Sequence, residues 1–94
     1  PIPKDRVTVR PPSLLLEREE WMGRSHVRAH ANSPEGLREG WIGIDGQKEI
    51  YSYWAGSTEA TLSVSLGAGS HNVTTKVETL DGVSVIDSRV FNVD

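Results

Sequence analysis

Ala60-Thr61-Leu62-Ser63-Val64-Ser65-Leu66 alternates apolar and polar residues without a fault. Side chains along an extended strand point to opposite faces in turn. Ala60, Leu62, Val64 and Leu66 therefore share one face, and Thr61, Ser63 and Ser65 share the other. Gly56-Ser57 breaks the pattern before it and Gly67-Ala68-Gly69 turns the chain after it.

The same period continues downstream. His71 to Thr79 sets Val73, Thr75 and Val77 on one face, against Asn72, Thr74, Lys76 and Glu78 on the other. Leu80-Asp81-Gly82 reads as a hairpin turn, and Val83 to Val93 forms the closing strand with Phe91 and Val93 in phase. Upstream, Gly40 to Ile44 runs into Asp45-Gly46, and Lys48 to Tyr53 returns. Asp-Gly between two apolar runs signals a hairpin, because both central residues of a type I′ turn need positive φ. Further back, Val27, Ala29 and Ala31 alternate with His26, Arg28 and His30, and Asn32-Ser33-Pro34-Glu35-Gly36 forms a turn cluster. The core implied by these phases is Val27, Ala29, Ile42, Ile44, Leu62, Val64, Val73, Val77, Phe91 and Val93.

The amino-terminal stretch reads less regularly. Residues 1–6 look like a linker, and Val7-Thr8-Val9-Arg10 like a short edge strand stopped by Pro11-Pro12. Leu14-Leu15-Leu16 followed by Glu17-Arg18-Glu19-Glu20 has high helix propensity, and Gly23 offers a stop. The expectation over residues 14–22 is an irregular segment or a short helical turn; the alternative is a kinked edge strand and loop. Altogether about seven antiparallel strands, with turns every 8–12 residues, predict a single all-β sandwich domain over residues 7–94.

Composition narrows the function. Ninety-four residues suit one domain. Cysteine is absent, so thiol catalysis, disulfides and thiolate metal sites are excluded. The net charge is -3, and all of it sits in residues 48–94, where three Lys/Arg face six Asp/Glu. That balance argues against nucleic-acid and membrane-surface partners. No run approaches the ~20 apolar residues of a membrane span.

Gly69-Ser70-His71-Asn72-Val73, Asp81-Gly82, Phe91-Asn92-Val93 and Trp41-Ile42-Gly43-Ile44-Asp45-Gly46 together resemble bacterial immunoglobulin-like modules over residues 26–94. Such modules show a Gly-x-His opening the penultimate strand, an Asp-Gly hairpin and a closing strand of alternating apolar residues. The Leu14–Met22 segment departs from that pattern, and there is no Cys…Trp…Cys arrangement of an antibody domain. The resemblance implies a non-catalytic accessory module, a spacer or domain-presenting unit of a larger extracellular or cell-envelope protein. It would be a monomer whose partners are neighbouring domains of the same polypeptide.

Little in the chain points to catalysis. His26 and His30 on one strand face would lie about 13 Å apart, too far for one metal ion with ~2 Å bonds. His71 is in phase with Val73, so its ring is expected to bond a loop carbonyl and pin the Gly67–Ser70 turn. Ser70 faces away from it, and no Gly-x-Ser-x-Gly elbow exists. Asp45 and Asp81 each stand alone before a glycine, whereas calcium wants several acidic oxygens in one loop. Gly67-Ala68-Gly69-Ser70 precedes a strand, not the helix of a phosphate cradle. No enzyme activity, metal or cofactor is expected.

The aromatic residues form the one candidate ligand site. Tyr51, Tyr53 and Trp54 cluster within four positions, and Trp41 is out of phase with Ile42 and Ile44. A flat strip of Trp41, Tyr51, Tyr53 and Trp54 could stack on sugar rings or meet a surface protein. The favoured alternative is that Trp41 or Trp54 covers the sheet or fills the core, since a domain of this size usually needs one buried Trp.

Overall fold

A computed structural model describes residues 11–94. The linker and short strand expected within residues 1–10 lie outside the described residues. From there the chain forms five antiparallel strands: β1 (Ser13–Trp21), β2 (Arg24–Ile44), β3 (Gln47–Leu66), β4 (Gly69–Thr79) and β5 (Ser84–Val93). All belong to one sheet with the order β1-β2-β4-β5, and β3 lies along the other edge of β2. There is no helix among the described residues.

Of the seven expected strands, the one before Pro11 lies outside the described residues; the other six become four because β2 and β3 each run through a segment that looked like a break, and β1 is added to them. The first arm of β2, Ser25–Asn32, pairs with β1 and with the second arm of β3, Glu59–Leu66. Its second arm, Leu37–Ile44, pairs with β4 and with Gln47–Ser57 of β3. Between the arms the register shifts, and the Asn32–Gly36 cluster is a bulge inside a strand, not a turn that ends one. Gly36 and Gly56, both at φ +94°, sit face to face there. A Cβ on Gly36 would stand 2.9 Å from the Gly56 carbonyl oxygen, so β2 could not lie so close to β3 with a side chain at position 36.

This bend curls the sheet into a half-barrel. Its concave face gathers Leu16, Val27, Ala29, Leu62, Val64 and Leu66 from one arm with Ile42, Val73 and Phe91 from the other. A second cluster of Ala31, Leu37 and Val77 fills the bend. Of the ten core residues expected from phase, eight are buried, and Ile44 and Val93 are partly covered at the margin.

The helical expectation for residues 14–22 is corrected: the segment is strand β1, paired from Ser13↔Asn32 to Trp21↔Arg24. Helix propensity amounts to a few tenths of a kcal/mol per residue, and tertiary pairing overrides it. Leu14 and Leu16 point inward while Leu15 is exposed, so the triple leucine hid a period of two.

Candidate functional site

The hairpin of β2 and β3 sets the aromatic residues. Trp41 pairs with Tyr51, and Glu39 with Tyr53, so all four side chains rise from the convex face. Tyr51 and Tyr53 are well exposed, and Trp41 is half-buried. Trp54, one position on from Tyr53, faces the other way. It lies against both core clusters over Gly40, where a Cβ would come within 2.8 Å of the indole. Thus the structure brings together Trp41, Tyr51 and Tyr53 and leaves Trp54 out of the strip. No tryptophan is fully buried, contrary to expectation; Trp54 serves the interior with part of its ring.

Charged groups surround Trp41 unevenly. Lys76 on β4 pairs with it across the sheet, and Lys48 on β3 holds its ammonium 5.0 Å from the indole centroid. A cation–π contact at such an exposed site contributes about 0.5–1 kcal/mol, weak enough for a stacked ligand to displace. Neither lysine pairs with a carboxylate among the described residues. The two nearby carboxylates are engaged: Glu39 accepts a hydrogen bond from the Tyr51 hydroxyl, and Glu78 lies 3.9 Å from Arg38. The Glu39 bond pushes the Tyr51 phenol above its ordinary pKa, since ionising it would set two negative charges together.

His71 was expected to hold a loop carbonyl, and it does more. Its Nε2 faces the carbonyl oxygens of Gly67 and Ala68 at 3.1 and 3.2 Å, while Nδ1 lies 2.9 Å from the Asp45 carboxylate. Both ring nitrogens therefore meet acceptors, which suits the doubly protonated imidazolium. Hydrogen bonding to Asp45 is the main cause that raises the His71 pKa. The same bond, with a second from the Asn72 backbone N–H at 2.9 Å, holds the Asp45 carboxyl below its ordinary value. The β2–β3 turn and the β3–β4 loop are tied to the start of β4 in this way.

The remaining histidines sit on the convex face. His26 Nδ1 meets the Ser65 hydroxyl at 3.2 Å, and Trp21 stands edge-on over its ring. His30 lies between Thr61 and Glu17. Among the described residues, no three His, Cys, Asp or Glu side chains converge as metal ligands would.

A hollow of about 860 Å³ opens at the end of the half-barrel between Gly23, Gly67 and Val93. Its floor is a closed polar set: Arg18 binds Glu20 and Ser25, and Ser25 donates to Glu20 at 2.7 Å. The Ser25 bond, with Arg18 beside it, lowers the Glu20 pKa. These three side chains satisfy one another. Sequence reasoning missed this set and also the exposed tip Trp21-Met22, whose residues are 64% and 81% accessible.

No protein-family model matches the chain, and neither a curated protein nor a solved structure matches it.

Proposed function

We propose that the chain is a non-catalytic, immunoglobulin-like spacer or domain-presenting module of a larger bacterial surface or secreted protein. The carrying observation is that, among the described residues, the start of β1 and the end of β5 lie at opposite ends of the sheet. The chain enters the sheet at Ser13, beside Asn32 and Glu59 at the bend. It leaves at Val93-Asp94, beside Gly23 and Gly67 at the open end. β1 alone spans about 26 Å between these ends at ~3.3 Å per residue. A unit of this form holds whatever flanks it at a set distance. The reading carries with it a monomer, outside the cell or in its envelope, with no cofactor and no nucleic-acid or membrane-inserted partner. Small-angle scattering from two copies joined head to tail tests it. An extended rod is expected, and a compact, folded-back pair would overturn the spacer role.

A second reading is favoured by one observation: Trp41, Tyr51 and Tyr53 share the convex face. Such a strip offers apolar area with polar tips, which suits sugar rings or a partner surface. Binding that disappears in Trp41→Ala but survives in Trp54→Phe supports this reading, and blank glycan arrays would remove its sugar form.

A further inference from the structure

The Trp41 indole stands between two shallow clefts. One, of about 200 Å³, is bordered by Glu39, Tyr51, Lys76 and Glu78; the other, of about 170 Å³, by Gly43, Gly46, Gln47 and Thr74. Lys48 borders both. Each is smaller than the roughly 300–1,000 Å³ of an enclosed small-molecule pocket. Such clefts fit individual rings of a chain lying along the surface.

We infer that this face takes an acidic polysaccharide, one whose sugar rings carry carboxylates. The inference rests on the sugar-stacking reading of the aromatic strip and adds the charge of the sugar. Three features carry it. Lys48 and Lys76 approach the indole from the strands on either side of β2, and among the described residues no carboxylate neutralises them. The hairpin-side cleft contains no acidic side chain, and Lys48 is its only charged group. The two acidic groups of the other cleft are already turned to Tyr51 and Arg38. A uronate stacked on Trp41 would replace the Lys48 ammonium over the ring and draw it to the carboxylate instead. An exposed ammonium–carboxylate contact is worth about as much as the cation–π contact it displaces, and the stacked sugar ring adds its own apolar contact with the indole. In a chain of net charge -3, this local cationic pair also gives direction to an anionic ligand.

The test uses the 94-residue chain and a panel of oligogalacturonate, alginate and hyaluronan fragments, each also as its neutral methyl ester. Titration is followed by tryptophan fluorescence and calorimetry at two salt concentrations. At least one acidic fragment should bind at least tenfold tighter than its ester, and the difference should narrow at high salt. Trp41→Ala should abolish binding, and Lys48→Met or Lys76→Met should erase the preference for the acid while far-ultraviolet dichroism stays unchanged. Equal binding of acid and ester would overturn the charge inference and leave sugar stacking intact. Binding that survives Trp41→Ala would also overturn it, reducing the site to a diffuse lysine effect. Silence from every acid and ester would remove the inference and the stacking reading together.

Discussion

Arg18 and Arg89 cross the open side of the half-barrel in opposite directions. Arg18 on β1 donates to the Asn92 carbonyl at 2.7 Å, and Arg89 on β5 donates to the Leu16 carbonyl at 3.0 Å. β1 and β5 are not paired by their backbones, so these guanidinium groups take the place of ladder bonds along that seam. Arg89 also lies over the Phe91 ring at 5.4 Å. Arg89→Met keeps much of the apolar stem and removes the donor. We expect a loss of about 1.5–3 kcal/mol, the range for hydrogen bonds made by charged groups. Urea unfolding gives the value, and a change below about 0.5 kcal/mol would show that the Arg89 bond adds nothing to the seam.

Stability should respond to pH through His71 and Asp45. The folded pKa of His71 is raised from 6.5, so its contribution is complete below that value and fades as pH climbs through the raised one. The folded pKa of Asp45 is lowered from 3.8, so its contribution is complete above that value and fades as pH drops through the lowered one. Their shared bond is therefore strongest between pH 3.8 and 6.5. Chemical denaturation at pH 5.5 and 8.5 should show the wild type weakening at the higher pH. Asp45→Asn should flatten that difference, and an unchanged slope in the variant would assign the effect to other groups.

Gly36→Ala should be among the most damaging of the glycine substitutions. The new Cβ would meet the Gly56 oxygen at 2.9 Å and Leu80 Cδ1 at 3.1 Å, on a backbone at φ +94°. Gly46 has φ +88° but open space around it. Strain of this kind costs about 1–3 kcal/mol, and Gly46→Ala should stay at the low end while Gly36→Ala exceeds it. Thermal melts of the pair decide the matter; equal losses would mean that the bend tolerates a methyl group.

Leu62→Ala removes a side chain that is 4% exposed and central to the main cluster. A loss of about 2–4 kcal/mol follows from the transfer and cavity costs. Ile86 is apolar too, yet 62% exposed on β5. Ile86→Ala should change stability by less than about 0.5 kcal/mol. Comparable losses at the two positions would place something over Ile86.

How much of this architecture could be read from the residues depended on where each pattern was interrupted. Segment 60–66 and the Val73-Thr75-Val77 face were legible because burial and alternation agree at every position. β1 was not, because its inward face carries Arg18 and Glu20, whose partners Asn92 and Ser25 come from other strands. The Asn32–Gly36 segment has the composition of a turn, and only its pairing with β3 distinguishes a bulge from an end. In the candidate site, strict alternation already separates Trp54 from Tyr51 and Tyr53, although closeness in sequence suggested one strip. His71 showed its loop carbonyl in sequence but not Asp45, which reaches it through the alignment of Ile44 with Val73. Arg18 and Arg89 gave no signal, since each bonds a backbone atom more than seventy positions away.

Leu16 with Arg89, and then Arg18 with Asn92, advance along β1 and β5 in the same sense. The chain enters β1 at the bend and leaves β5 at the far end. Tension on the two termini would thus slide one strand lengthwise past the other, and both guanidinium contacts would carry the load at once instead of parting in succession. Forced extension is governed by the rate of unfolding, not by the equilibrium. The fold therefore has a mechanical strength that its melting temperature does not report, and two side chains on facing edges add to what the backbone ladders supply.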